Sequence, residues 1–114
     1  MCSSDLLVVA SYQAASGAGQ SGLDTLTKQI SEISDKNLGH NSGDIRTAIS
    51  DLGPFPAPLA LNVIPWAGSL KSDGYTSEEL KVRNESRKIL GIADLKVSVT
   101  CVRVPVMKIG RAHV

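Results

Sequence analysis

Arg103 closes a valine-rich alternating run, Val97-Ser98-Val99-Thr100-Cys101-Val102-Arg103, and carries the most directed chemistry in the chain. A guanidinium is always charged and offers a planar fork of donors matched to a carboxylate. A carboxylate ligand or a neighbouring acid would serve equally well, because a charge taken out of water needs a partner in either case. Glu78, Lys81, Glu85 and Lys88 recur at spacings of three, four and three, which puts them on one face of a helix. Such alternating stripes are commonly solvated surface, yet a lysine in one is also a compact point charge suited to phosphate. In Ser11-Tyr12-Gln13-Ala14-Ala15-Ser16-Gly17-Ala18-Gly19 an amide stands at the mouth of a small-residue turn. Glycine there lets backbone approach a ligand closely and exposes N–H groups to an anion. The run lacks the Gly-x-Gly-x-x-Gly spacing of a dinucleotide site, so a plain tight turn, with Gln13 bonded to its own loop, is the alternative.

Other reactive side chains point to structure rather than chemistry. Cys101 lies among alternating apolar residues with no helix N-terminus or evident cation to lower its pKa, so it reads as a small core hydrophobe. His40 sits among loop residues without metal-ligand spacing and reads as solvated. Trp66, after Pro65, reads as a packing or interface aromatic. No metal-ligand cluster and no Ser-His-Asp order is evident.

The elements that must position these residues follow from periodicity. Leu7-Val8-Val9-Ala10 is a short apolar run ending at a turn, which predicts a buried strand. Residues 21–34 place Leu23, Leu26, Ile30 and Ile33 on one helical face. Over residues 35–58, Gly39, Gly43, Gly53, Pro54, Pro56 and Pro58 punctuate the chain and leave room only for a short helix around 44–52. Residues 59–64 read as a second buried strand, stopped by Pro65. Thr76 and Glu79 form a capping box for a helix that Gly91 ends. A last strand over 95–107 sends Val97, Val99, Cys101 and Arg103 to one side.

Composition bounds the class. The chain has 114 residues, is 42% hydrophobic and carries a net charge of +1, which fits one modest α/β domain, too short for separate cofactor and catalytic domains. Basic and acidic residues are interleaved, so neither nucleic acid nor an anionic membrane is indicated as a partner. No apolar stretch approaches the roughly 20 residues of a membrane span. With Cys2 in a leader of doubtful origin, Cys101 is left as the one native thiol, which suits a reducing, cytoplasmic compartment.

Taken in order, the Ser11 to Gly19 run, Asn62-Val63-Ile64-Pro65, the helix from Glu78-Glu79-Leu80-Lys81 to Gly91, and Cys101-Val102-Arg103-Val104-Pro105-Val106 resemble the aspartate-semialdehyde dehydrogenase family. The resemblance implies part of a C-terminal domain of the glyceraldehyde-3-phosphate dehydrogenase-like fold: a partial mixed sheet with helices on one face, carrying most of a homodimer contact. It implies an NADP-dependent reductive dephosphorylation of L-aspartyl-4-phosphate, serving lysine (by way of diaminopimelate), threonine and methionine biosynthesis. By the same resemblance Arg103 grips the α-carboxylate, Glu78 the ammonium and Lys81 the phosphate. Gln13 bonds the substrate beside the catalytic thiol, and Ser16 and Gly17 lie on the nicotinamide side of NADP. The family's nucleophilic cysteine lies upstream of anything here. Its histidine base belongs in a Gly-His motif after Met107 or Lys108, where His113 has the wrong spacing and receives no role. N-acetylglutamyl-phosphate reductase and glyceraldehyde-3-phosphate dehydrogenase do not reproduce the four blocks together.

Both ends read as foreign. Codons exist for residues 1–6 and 109–114 that are reverse complements apart from the outermost one, and both match a sequencing adapter. The expectation is an adapter-like leader over 1–6, a native interior over 7–107 and an adapter-like tail over 108–114. The isolated chain is then expected to be inactive. The alternative is a non-catalytic binding or dimerisation module that retains this domain.

Overall fold

A computed structural model describes residues 5–110; Cys2, His113 and the outer parts of both adapter-like ends lie outside them. The elements are β1 (Leu6–Gln13), a 3-10 turn (Ala15–Ala18), α1 (Gly19–Ile33), α2 (Asp44–Ala48), α3 (Ser77–Leu90) and β2 (Lys96–Arg103). The two strands pair in parallel, so the class is α/β as expected. The chain forms two compact units, one from Met1–Tyr12 with Pro65–Val102 and one from Gln13–Ile64 with Arg103–Val114.

In the first unit, alternation decides the faces. Val97, Val99 and Cys101 of β2 turn inward with Val9 of β1, and pack with Ala67 and Val82 of α3. The opposite side of β1 leaves Leu6, Val8 and Tyr12 exposed, at 62%, 69% and 65%. The expected strand over 95–107 is shorter, because Pro105 has no N–H to continue a ladder. Helix α3 begins and ends where its caps dictate. Thr76 and Glu79 make the reciprocal capping box, and Gly91 takes the left-handed conformation at φ 69°.

In the second unit, α1 lies on the 3-10 turn so closely that a Cβ at Gly22 would meet the carbonyl oxygen of Ala15 and stand 2.8 Å from Ala18 Cβ. Its buried stripe is Gly22, Thr25, Leu26, Gln29 and Ile33. The expected face is therefore rotated: Ile30 is 45% exposed and a glutamine occupies the centre of the stripe. Glu32 accepts a 2.7 Å bond from the Ser50 hydroxyl, which holds its carboxyl below the usual range. Asp51 is held down in the same direction by the Gly53 N–H and then by Lys28, 3.4 Å away.

The expected helix at 44–52 is only α2, and Gly43 precedes it at φ 82°. Burial pushes the Asp44 carboxyl up, but backbone N–H groups, those of Gly39 and Asn41 foremost, outweigh it and hold it below the usual range. The strand expected over 59–64 is a turn in which Asn62 N–H bonds to Leu59 O at 3.0 Å, and just Ile64 pairs with Arg103 in an isolated antiparallel bridge. The reason is Gln29, whose Oε1 takes the N–H groups of Leu59 and Ala60 that a strand partner would need.

That turn leaves Leu61 at φ 57° while 64% exposed. A branched side chain is strained in this region, and asparagine tolerates it far better. Leu61→Asn is expected to raise stability by about 0.5–1 kcal/mol. A urea midpoint unchanged or lowered in the variant contradicts this.

Candidate functional site

Arg103 is held from several sides in the second unit. Its backbone N–H and C=O both pair with Ile64, at 2.8 and 2.9 Å. Its Nη1 donates to the carbonyl of Ala14 at 2.8 Å, and its guanidinium carbon stands 5.5 Å from the centre of the Phe55 ring. The residue is 7% exposed, so the guanidinium is oriented by its surroundings rather than by its own rotamer preferences. A fixed planar fork is what bidentate carboxylate recognition needs.

Gln13 and Gly17 are brought to this guanidinium. A Cβ added at Gly17 would lie 2.8 Å from Arg103 Nη1 and 3.5 Å from Gln13 Oε1. Gln13 is fixed by its own carbonyl, which accepts the Val104 N–H at 2.9 Å. Three residues that the sequence singled out therefore share one small polar surface.

The turn does not offer the anion cradle that glycine content suggested. The N–H groups of Ala15 and Ser16 donate to Val106 O and Met107 O, both at 2.9 Å, and that of Gly17 donates to Ala14 O at 3.0 Å. The Gly19 N–H goes to Ser16 O. These amides are committed to the protein, because residues 106 and 107 run alongside the turn. What remains at Ser16 and Gly17 for a ligand is a half-buried hydroxyl side chain and a bare, exposed α-carbon, suited to close flat packing rather than to gripping a phosphate.

Glu78 and Lys81 belong to the first unit, on the first turns of α3. Glu78 is half-buried and Lys81 exposed. Their turn is pinned by Ser77, whose N–H bonds to Ser69 O at 2.8 Å and whose Oγ accepts the Ser69 N–H at 3.0 Å. Gly68, at φ 80°, abuts Ser77 Oγ and has no space for a Cβ there. Glu79 points the other way, into the fold, where its Oε2 accepts the Cys101 N–H at 3.1 Å. Glu85 and Lys88 are exposed, as a solvated stripe should be. The structure thus gathers Gln13, Gly17 and Arg103 with Ser16 beside them in one unit, and Glu78 with Lys81 in the other.

Cys101 is buried at 1% and lies in the apolar cluster, as its strand pattern implied. His40 is exposed and bonds Asn37 at 2.9 Å. Trp66 donates its indole N–H to Gly68 O at 2.8 Å, which ties it to the loop that buttresses Glu78. Among the described residues no cluster of metal-ligating side chains occurs, and no helix is long and apolar enough to cross a membrane. Sequence reasoning missed Phe55 as the platform under Arg103, Gln29 as the anchor of the 51–60 loop and the bond from Cys101 to Glu79. The first two lie in or against a Gly/Pro-rich stretch with no periodic signal.

Comparison with known proteins places these features in context. The family model for the semialdehyde dehydrogenase dimerisation domain matches residues 3–110. Aspartate-semialdehyde dehydrogenase of Corynebacterium glutamicum is 53% identical over 102 residues, covering 88% of this chain and 30% of that protein. The Streptomyces akiyoshiensis enzyme of the same name is 47% identical over 106 residues, covering 90% of this chain and 31% of the relative. Among solved structures, aspartate semialdehyde dehydrogenase II of Vibrio cholerae complexed with ASA aligns over 90% of this chain and 27% of its own, with a TM-score of 0.72 and 32% identity. The chain therefore spans about 30% of the length of these curated relatives.

Proposed function

Since this chain belongs to the semialdehyde dehydrogenase dimerisation-domain family, we propose that it is the substrate-gripping and dimer-forming part of an aspartate-semialdehyde dehydrogenase. The whole enzyme would reduce L-aspartyl-4-phosphate to aspartate semialdehyde with release of phosphate, in the cytoplasm, within amino-acid biosynthesis. The observation that carries this reading is the buried, oriented Arg103 guanidinium facing Gln13 and Gly17.

In this reading Arg103 binds the α-carboxylate, Gln13 orients the reacting end, Glu78 binds the ammonium and Lys81 attracts the phosphate. NADP supplies the hydride when bound. Ser16 and Gly17 would line its nicotinamide side by flat packing, since their N–H groups are already used. Val8 and Tyr12, exposed on one side of β1, supply apolar surface of the kind a second copy would cover. The chain by itself is expected to have no turnover, because among the described residues Cys101 is locked in the core and His40 is bonded to Asn37 on the surface.

The test is a chimera in which the matched segment of the Corynebacterium glutamicum enzyme is replaced by residues 7–107 of this chain. It is expected to oxidise aspartate semialdehyde with phosphate and NADP. Arg103→Ala should lower its kcat/KM by about 100-fold or more, the loss of two charge-assisted hydrogen bonds. A folded, dimeric chimera that is inert, or an Arg103→Ala chimera as active as its parent, overturns the reading.

A further inference from the structure

Glu78 is directed by what its stem lies on. Its carboxylate has no hydrogen-bond or ion-pair partner among the described residues, and the residue is half-buried, so packing rather than a bond sets where it points. The packing partner is the backbone of Gly68. A Cβ there would stand 3.3 Å from Glu78 Cγ and 3.4 Å from Glu78 N, and would collide with Ser77 Oγ. Gly68 also sits at φ 80°, so space and torsion both demand glycine. A short segment tied on each side places it. Before it, Ala67 is 1% exposed and packs with Val99 and Cys101, and the Trp66 indole N–H donates to Gly68 O at 2.8 Å. After it, Ser69 and Ser77 exchange two bonds, at 2.8 and 3.0 Å. Pairing continues through Leu70 with Thr76 and Lys71 with Tyr75.

We infer that Trp66 is a positioning residue for Glu78: its N–H fixes the Gly68 carbonyl, and with it the bare α-carbon against which the glutamate stem is aimed. The inference rests on the reading of Glu78 as the ammonium ligand given above and adds what that reading lacks, the means by which an unbonded carboxylate is aimed. The three atoms nearest the missing Cβ of Gly68 belong to Ser77 and Glu78, whereas Lys81 is exposed one turn further along α3. The segment therefore bears on one of two charges that share a helix. Phenylalanine at position 66 keeps an aromatic body and removes the donor, which isolates the bond to Gly68 from the packing of the ring.

The experiment uses the chimera described above and measures KM for aspartate semialdehyde and for phosphate separately. Trp66→Phe should raise KM for aspartate semialdehyde by about three- to tenfold, the effect of one hydrogen bond, with kcat and KM for phosphate within about twofold of the parent. A merely structural loosening of the start of α3 moves Lys81 together with Glu78 and raises both KM values. Adding Trp66→Phe to Glu78→Gln should bring no further rise, because the charge being aimed is already gone. Ser77→Ala releases the Ser69 N–H and should show the same pattern in weaker form; it decides the matter should Trp66→Phe fail to fold. An unchanged KM for aspartate semialdehyde in Trp66→Phe, or equal rises in both KM values, overturns the positioning role with the enzyme reading intact. Glu78→Gln with the parental KM overturns the role together with the reading of Glu78, and an inert parent chimera overturns the whole.

Discussion

Gln29→Leu is expected to destabilise the second unit by about 2–6 kcal/mol, a large share of a domain's stability. Gln29 is completely buried. Its Oε1 accepts from Leu59 N–H at 2.9 Å and Ala60 N–H at 3.1 Å, and its Nε2 donates to Asp51 O at 3.0 Å. Leu59 and Ala60 are themselves 0% and 1% exposed, so water cannot replace the lost acceptor. Two orphaned, buried N–H groups cost about 2–6 kcal/mol together, at 1–3 each, against a total stability of about 5–15 kcal/mol for a domain. Leucine has a similar volume, so a cavity is not the cause and packing arguments predict almost no change. Gln29→Glu separates the two accounts: when protonated it keeps the acceptor and can still donate to Asp51 O, so it should cost clearly less than leucine at low pH and lose that advantage as pH rises and a buried charge forms. Urea unfolding followed by circular dichroism decides the matter. A leucine variant as stable as the parent means that the 51–60 loop is held by something other than this side chain.

The same residue explains much of what could not be read from the chain. Cues contained within a turn or two were legible: the Thr76 and Glu79 box, the Gly91 stop and the inward row Val97, Val99, Cys101, Arg103 all stand as expected. Failures occurred where a partner distant in sequence took a group that local pattern had assigned elsewhere. Residues 59–64 have strand composition, but a strand needs its N–H groups, and Gln29, thirty positions earlier, takes two of them. Helix α1 looks as if it should bury Ile30, yet satisfying a glutamine with three backbone groups made that residue the better one to bury. The turn at Ser16 and Gly17 looks like an anion cradle until residues 106 and 107 claim its amides. The residues of the site were thus legible by type, whereas the free donors and acceptors around them depended on contacts across ninety positions of chain.

Glu79→Ala supplies the second large effect, and it bears on how α3 is attached to the sheet. One carboxylate oxygen, Oε1, accepts from Thr76 N–H at 2.9 Å and from the Thr76 hydroxyl at 3.1 Å, and the other accepts from the Cys101 N–H at 3.1 Å. Cys101 is 1% exposed and its N–H is given to the Glu79 carboxylate, so removing that acceptor leaves a buried donor out of reach of water. Losing the cap costs about 0.5–2 kcal/mol, and orphaning a buried N–H adds about 1–3. A fall of about 1.5–5 kcal/mol is therefore expected, several times what an exposed residue of the same helix would give. The two contributions come apart in Thr76→Ala, which removes the hydroxyl of the box but leaves Glu79 on Cys101, and should cost about 1 kcal/mol alone. Amide hydrogen exchange at Cys101 reads the attachment directly: it should accelerate strongly in Glu79→Ala and little in Thr76→Ala. Equal exchange at Cys101 in both variants would reduce Glu79 to an ordinary helix cap. The expected difference would make it the side chain that docks the turn carrying Glu78 and Lys81 onto β2.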